Sequence, residues 1–177
     1  MKHKFHFKKC IYSHFIGNIT TTSSIFVLQK LKVMYSLSIT PKFADIDGLG
    51  HVNNTVLPGW FEQARNQIYR YFNPEFDFKN WNLILARYEI DFVSQLFYDQ
   101  DVEIKTWISH IGRSSFEVYQ EAWQNDTLST IGKTVLVHFD FKAQKSAKIP
   151  PEILEQMNEH LITAAEILAS KHNNKKA

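Results

Sequence analysis

Hydrophobic and polar residues repeat with two different periods along the chain, and these periods mark the elements. Residues 35–43 (YSLSITPKF) combine β-branched and aromatic positions and predict a first strand. Apolar residues then recur every four positions between 57 and 72, which predicts a helix that begins near Pro58 and ends at Asn73-Pro74. Four apolar or alternating runs after this helix predict strands, and they cover residues 82–93, 101–108, 116–123 and 131–141.

A second helical pattern follows Pro150-Pro151. Its apolar face consists of Leu154, Met157, Leu161, Ala164 and Leu168 and predicts an amphipathic C-terminal helix. Gly112 and Asn125-Asp126 mark hairpin connections. The order of strand, long helix, four strands and helix predicts an α+β fold, in which an antiparallel meander of about five strands packs over the central helix. Open sheet edges favour pairing across a two-fold axis, so we expect a dimer or a larger homo-oligomer.

Composition narrows the class of protein. The 177 residues are enough for one domain with a sizeable core, and the 44% hydrophobic content is that of a globular chain. No apolar run approaches the roughly 20 residues of a transmembrane helix. Cys10 is the single cysteine, which excludes an intrachain disulfide framework and a cysteine-based zinc cage. His110, His138 and His160 show no metal-ligand spacing.

Charge divides the chain into two parts. Residues 1–33 carry six Lys and no acid, whereas the remainder carries 14 basic and all 18 acidic residues. The mildly acidic domain argues against nucleic acid as a partner. Residues 1–33 have no clear period, and we interpret them as an N-terminal extension upstream of a translation start at Met34, with a functional tail as the alternative. The domain is expected to span 34–170, followed by a frayed tail at 171–177.

The loop DIDGLGHVNN, residues 45–54, holds the densest cluster of candidate chemistry. It places two carboxylates, one imidazole and two amides between a strand and the start of a helix. A helix N-terminus offers unbonded backbone N–H groups and the positive end of a dipole, which can hold an oxyanion. Asp and Asn are also common in turns and helix caps, so the composition of the loop alone gives only a candidate site.

The order of the residues in this region is more specific than its composition. FADIDGLGHVNNTVLPGWFEQAR resembles the opening motif of the hotdog-fold acyl-CoA thioesterases in the 4-hydroxybenzoyl-CoA thioesterase family, which is roughly Asp-x-Asp-x-x-Gly-His-Val-Asn-Asn and then Glu-x-Ala-Arg. The segments RYEIDFVSQLFYDQDVEI, IGRSSFEV and VHFDFKAQKSAKIP resemble later strands of that family, so the likeness covers about 34–155. Leu-Pro-Gly at 57–59 departs from the aromatic residue that many members carry near position 57. The resemblance implies a single hotdog domain, with the sheet wrapped around the helix.

The resemblance also implies catalytic roles. Asp47 holds the position of the catalytic carboxylate, which could act as a base or as a nucleophile on a thioester carbonyl. The backbone N–H of Asn54 holds the position of the oxyanion donor. Glu62 on the helix is a rival catalytic carboxylate, although it could instead pair with Arg65 at i+3.

The same resemblance also implies substrate-binding positions, and the apolar strand around Arg87 adds one more candidate. His51 and Asn53 are expected to shape the loop. The resemblance implies that Arg113, Ser114 and Ser115 lie near the pantetheine and phosphates of coenzyme A. Arg87 lies within an apolar strand, so it should have a partner, either a carboxylate, a subunit interface or substrate.

The expected function is hydrolysis of an acyl-CoA or acyl-carrier-protein thioester by a cytoplasmic homodimer or homotetramer, with no cofactor, metal or stable membrane insertion. Two alternatives remain open. A hotdog acyl-thioester dehydratase or hydratase would pair His51 with Glu62. A non-catalytic acyl-CoA-binding module would keep the pocket without needing Asp47. The sequence does not determine the acyl group.

Overall fold

The computed structural model describes residues 9–11 and 33–167. Its strands are β1 (Lys9–Ile11), β2 (Val33–Ile39), β3 (Leu83–Phe92), β4 (Val102–Ile111), β5 (Ser115–Gln124), β6 (Thr127–Asp140) and β7 (Lys145–Ser146). Its α-helices are α1 (Leu57–Ala64), α2 (Asn66–Phe72) and α3 (Pro151–Asn158), and short 3-10 helices cover Phe43–Asp45 and Phe78–Asn80. The α+β class is therefore confirmed. The predicted first strand ends at Ile39, and Phe43 begins a 3-10 turn instead of ending the strand.

The sheet is antiparallel, with the order β1-β2-β4-β5-β6-β3 and with β7 added to β6. Strands β4, β5 and β6 form the predicted meander, and both predicted hairpin connections lie between them. Strand β3 does not pair with β4, as a full meander would require, but crosses to the far edge beside β6. Short connections force neighbouring strands to pair, whereas the longer segment 93–101 allows this crossing.

The central helix covers the predicted range but is divided at Arg65. The side chain of Gln120 on β5 donates to the carbonyl of Phe61 at 2.9 Å. The backbone N–H of Arg65 is shared between the carbonyls of Phe61 and Glu62, so the helix tightens locally into an i+3 pattern. The carbonyl of Phe61 therefore accepts one hydrogen bond from the helix and one from the sheet at the point where the helix is divided.

Helix α1 lies very close to the sheet at Gly132 of β6. A Cβ atom at this position would lie 2.8 Å from the ring of Phe61, which is fully buried. The core around this contact joins α1 to β2, β4 and β5 through Leu37, Leu57, Phe61, Ile104 and Ala122. A second cluster joins α2 and α3 to the other end of the same sheet face.

The C-terminal helix is shorter than the amphipathic pattern predicts. Helix α3 ends at Asn158, and Leu161 forms a parallel bridge with Ile108 instead of continuing the helical face. Strand β2 pairs with β4 only as far as Thr106, so the backbone of Ile108 bonds to residues 160 and 162. Residues 164–167 are helical again, and Leu168 and the expected tail at 171–177 lie outside the described residues.

Only residues 9–11 and 33 of the expected N-terminal extension are described. Strand β1 lies antiparallel to β2, with Lys9 opposite Tyr35 and Ile11 opposite Val33. The domain boundaries at 33 and 170 stay predictions. A search of the described helices found none that is both long enough and apolar enough to cross a membrane.

Candidate active site

The loop of residues 45–54 folds into a tight turn in front of α1. The backbone N–H of Asp47 donates to the carbonyl of His51 at 2.8 Å, and that of Gly50 donates to the carbonyl of Asp47 at 3.1 Å. Ile46 and Val52 form an antiparallel bridge that closes the turn. Gly50 has a φ of +83°, a conformation that glycine adopts at little cost. The second glycine of the sequence DGLG, Gly50, is therefore the residue that the turn requires.

The carboxylate of Asp47 is bonded within this turn. Its Oδ1 accepts the backbone N–H groups of Leu49 at 2.8 Å and of His51 at 3.1 Å. These two hydrogen bonds hold the pKa of Asp47 below its ordinary value, and the nearby His51 acts in the same direction. Oδ2 accepts no hydrogen bond from the described residues. Asp47 is thus an ionised carboxylate with one oxygen held and the other available.

Asp47 lines a cleft of about 510 Å³. The walls come from the loop, the first residue of α1, the end of β3 with the segment after it, and one residue of β6. These residues are Asp47, His51, Val52, Asn54, Leu57, Phe92, Val93, Ser94, Gln95, Leu96 and Thr130. Five of them are apolar, and in the described part of the chain no Lys or Arg lines the cleft.

Asn54 lines the same cleft from a turn that precedes the helix. Helix α1 begins at Leu57, so Asn54 lies three residues before it and not at the helix terminus itself. Its backbone N–H donates to no acceptor within the described ranges. Asn53 does not line the cleft, but its Oδ1 accepts the backbone N–H and the hydroxyl of Thr55 at 3.0 and 2.8 Å. Asn53 therefore helps to hold the turn that carries Asn54.

His51 links the loop to the opposite wall. Its ring contacts the ring of Phe97 edge to face, with 5.3 Å between centroids, and the two residues form an antiparallel bridge. The backbone N–H of Val52 donates to the carbonyl of Leu96 at 2.8 Å. The loop is thus fastened to the segment after β3, which forms the other side of the cleft.

Glu62 is exposed on α1 and is not among the residues that line the cleft. The alternative in which Glu62 pairs with Arg65 is wrong. Arg65 is buried and donates instead to Tyr69 Oη at 3.0 Å, Gln120 Oε1 at 3.0 Å and Thr134 Oγ1 at 3.1 Å. The Glu-x-Ala-Arg motif therefore separates into an exposed acid and a buried base that joins the helix to the sheet.

Arg87 has a carboxylate neighbour, which is one of the three partners that its place in an apolar strand suggested. Its guanidinium forms an ion pair with Glu89 on the same strand, and the Arg87 side chain is largely exposed, whereas that of Glu89 is half-buried. A register shift between Leu85 and Arg87 marks a bulge in β3 at this point. Arg87 does not line the cleft, so the single chain gives it no contact with a bound substrate there.

Arg113, Ser114 and Ser115 are also distant from the cleft. They lie in the β4–β5 hairpin, where Ser115 pairs with Val137, whereas the cleft residue Thr130 pairs with Ala122. Seven strand positions separate the two pairs, which is about 23 Å. The carbonyls of Arg113 and Ser114 accept the N–H groups of Ile149 and His138. Within one chain these residues organise the hairpin and do not meet Asp47.

The pattern of the sequence did not reveal most of the cleft wall. Leu57, Phe92 to Leu96 and Thr130 carry no motif, and the chain order does not bring β3 and β6 together. The loss of strand alternation after Phe92 was the one available signal. Among the described residues, no three His, Cys, Asp or Glu side chains converge as a metal site would require.

Comparison with known proteins gives a consistent result. Residues 41–157 match the thioesterase-like superfamily. A predicted thioesterase from Bacillus stearothermophilus is 38% identical, with a TM-score of 0.72 over 73% of this chain and 98% of that one. A thioesterase from Thermus thermophilus, complexed with coenzyme A and Zn, is 26% identical, with a TM-score of 0.63 over 70% and 90%.

The fold is shared more widely. A mutant 4-hydroxybenzoyl-CoA thioesterase complexed with 4-hydroxybenzoyl-CoA is 15% identical and has a TM-score of 0.61 over 70% of this chain and 98% of that one. No curated protein sequence matches the chain. An antiparallel sheet wrapped around a helix, with a carboxylate loop before that helix, defines a thioester hydrolase of the hotdog type. The chain belongs to the thioesterase-like superfamily.

Proposed function

We propose that the protein hydrolyses an acyl-CoA thioester to a free acid and coenzyme A, with Asp47 as the catalytic carboxylate. One observation carries the proposal. The available Oδ2 of an ionised Asp47 and the unbonded N–H of Asn54 belong to residues that line the same cleft. Thioester hydrolysis needs such a pair, because a nucleophile or base must act on the carbonyl carbon while a donor stabilises its oxygen.

The reaction requires no further acid. Asp47 either removes a proton from a water molecule that attacks the carbonyl carbon, or attacks that carbon itself to form an anhydride that water then hydrolyses. In both routes the carbonyl oxygen gains negative charge, and the N–H of Asn54 is the donor proposed for it. The C–S bond then breaks, and the thiolate leaves with the electron pair. Water supplies the OH of the free acid and the proton that the thiolate takes up, and Asp47 returns to its ionised form.

Coenzyme A as the carrier is supported by the relatives. The Thermus thermophilus thioesterase at 26% identity is complexed with coenzyme A. An acyl-carrier protein remains the alternative carrier. Arg113, Ser114 and Ser115 stay proposed contacts for pantetheine and phosphate, and their distance from Asp47 in one chain means that a second subunit would have to bring them there.

The lining of the cleft favours an uncharged acyl group. Val52, Leu57, Phe92, Val93 and Leu96 offer apolar surface. No Lys or Arg lines the cleft within the described residues, and Asp47 would repel a second carboxylate. We therefore propose an aliphatic or aromatic acyl group without a free carboxylate.

A panel of short, long, aromatic and dicarboxylic acyl-CoAs tests this function by the release of free thiol. Asp47→Asn should lower kcat at least about 100-fold, because an amide cannot act as a base or nucleophile. Glu62→Gln is the matched control and should keep kcat within about twofold. Dicarboxylic esters should be the poorest substrates.

Three outcomes would contradict the proposal. No turnover of any CoA ester by the folded wild type would exclude CoA ester hydrolysis, and acyl-carrier-protein esters would be tested next. Full activity of Asp47→Asn would remove the role of Asp47. Loss of activity in Glu62→Gln together with His51→Ala would favour the dehydratase alternative, against which the exposed position of Glu62 outside the cleft now counts.

A homodimer formed through β3 is part of the proposal. Strand β3 lies at the end of the sheet order of the described strands and has β6 as its neighbour. Three apolar side chains at or beside this edge, Leu85, Phe92 and Val93, are more than half exposed. Pairing of two β3 edges would satisfy their backbone groups and bury this apolar surface.

A further inference from the structure

Gln124, the last residue of β5, has a buried side-chain amide that the proposed reaction does not use. The side chain is 5% exposed and does not line the cleft. Its Oε1 accepts the backbone N–H of Phe97 at 2.9 Å, and its Nε2 donates to the carbonyls of Phe97 at 2.9 Å and of Gln100 at 2.8 Å. One side chain thus holds both polar backbone groups of Phe97, as a neighbouring strand would.

The segment held by Gln124 supports the loop that carries Asp47. Phe97 forms the bridge and the ring contact with His51, and Leu96 accepts the backbone N–H of Val52. The backbone N–H of His51 in turn donates to Asp47 Oδ1 at 3.1 Å. Each step from Gln124 to Asp47 is therefore a backbone contact or a hydrogen bond.

Local sequence places Gln124 where it can do this. The next two residues, Asn125 and Asp126, both have positive φ angles, +51° and +56°, as tight hairpin turns require. On the other strand, Ser129 has no partner in the β5–β6 register. The carbonyl of this bulged residue accepts the N–H groups of Val93 and Ser94 at 2.8 and 3.0 Å. The tip of the hairpin thus holds the cleft wall at two points.

We propose that Gln124 is a positioning residue for Asp47, which sets the catalytic loop through Phe97 and His51 without touching the substrate. The inference rests on the proposed function, because it assumes that Asp47 performs the chemistry. Only a side chain with both an acceptor and a two-hydrogen donor can make these three bonds. An apolar replacement would leave one N–H and two carbonyls without partners, and the segment would move to find water.

The test compares two variants of Gln124 in the full chain. Gln124→Met keeps the length of the side chain and removes every hydrogen bond. Gln124→Glu keeps the acceptor for Phe97 and loses the donors. We expect Gln124→Met to lower kcat at least about tenfold, because small displacements of catalytic groups are costly, and Gln124→Glu to give an intermediate loss.

The pH profile separates positioning from general loss of stability. If the His51 N–H moves away from Oδ1, the pKa of Asp47 should rise towards its ordinary value, and the acid limb of kcat/KM should move to higher pH. Asp47 and His51 are the titratable residues that line the described cleft. The titration of the Asp47 carboxyl by NMR should show the same rise, and this readout does not depend on turnover.

Asn73→Leu is the matched control. Asn73 is buried, and its amide clamps another loop by donating to the carbonyl of Asp77 at 2.8 Å and accepting its N–H at 2.9 Å. We expect this variant and Gln124→Met both to lower the melting temperature. Asn73→Leu should nevertheless leave kcat and the acid limb of the kcat/KM profile unchanged.

A folded Gln124→Met with wild-type kcat and an unmoved Asp47 titration would overturn the proposal, and so would equal effects in Asn73→Leu. If Gln124→Met does not fold, the same criteria apply to Gln124→Glu. Failure of the proposed function would differ, because the wild type itself would then be inactive or Asp47→Asn would be active.

Discussion

Asp47 combines two tasks in one carboxylate. Its Oδ1 holds the loop through the N–H groups of Leu49 and His51, while Oδ2 accepts no hydrogen bond from the described residues. An asparagine could keep the first task with its amide oxygen but would lose the charge. Asp47→Asn therefore removes the charge of the carboxylate while it keeps the hydrogen bonds that hold the loop. An alanine substitution would remove both.

The pH dependence of turnover should identify the reacting group. A base must be deprotonated, so activity is lost as the pH falls through its pKa, and the pKa of Asp47 is lowered by two backbone hydrogen bonds. For an acyl-CoA with an uncharged acyl group, we expect kcat/KM to be half-maximal below about pH 3.9, the ordinary value for aspartate. Circular dichroism at each pH would verify folding. A half-maximal point well above the ordinary aspartate value would show that Asp47 is not the reacting base.

Helix α1 packs closely against strand β6 because the residue at the contact, Gly132, has no side chain. Gly132 leaves room for the ring of Phe61, and Gln120 fastens the Phe61 carbonyl to the sheet. The same helix supplies Leu57 to the cleft at its first residue.

Gly132→Ala should destabilise the protein by about 1–3 kcal/mol, as overpacked cores do. Its Cβ would lie 2.8 Å from the ring of Phe61, which is fully buried. Gly59→Ala in α1 is the control, since its Cβ would meet nothing within 4 Å and alanine favours the helix by about 0.5–1 kcal/mol. Urea unfolding measures both. Equal stability of the two variants would show that Phe61 does not pack against Gly132 in this way.

The sheet order determines which surfaces the whole molecule leaves open. Because β3 crosses to the edge beside β6, its far side has no neighbour among the described strands. The end of this strand also forms a wall of the cleft through Phe92 and Val93. A partner subunit paired with β3 would therefore lie next to the site, which is where the distant residues Arg113 to Ser115 could be supplied from a second chain.

Leu85→Asp should weaken the proposed dimer. Leu85 lies on β3 and is 53% exposed, so a charge there should cost little in a monomer but would be buried in a β3–β3 interface. Phe78→Asp, at an 80% exposed residue of a 3-10 turn, is the control. Light scattering after size exclusion should give a dimer for wild type and Phe78→Asp and a smaller mass for Leu85→Asp. An unchanged mass in Leu85→Asp would exclude an interface at this edge.

Much of the fold could be predicted because its signals are local. The β5–β6 hairpin follows from Asn125-Asp126, which adopt the positive φ angles of a tight turn, and α1 begins beside Pro58 as expected. The error at Leu161 has a tertiary cause. The apolar spacing was helical, but β2 does not reach Ile108 of β4. The backbone of Ile108 bonds instead to residues 160 and 162, and these residues are therefore extended beside β4 and not helical.

The loop of residues 45–54 was the part of the candidate site that the sequence determined by itself. Asp47, Gly50 and His51 are neighbours in the chain, so hydrogen bonds within one turn are enough to arrange them. The cleft was decided only by the tertiary structure. Its other wall comes from the end of β3 and from Thr130 on β6, and the support for that wall comes from Gln124. Contacts between residues so far apart depend on sheet order, which local periodicity does not encode.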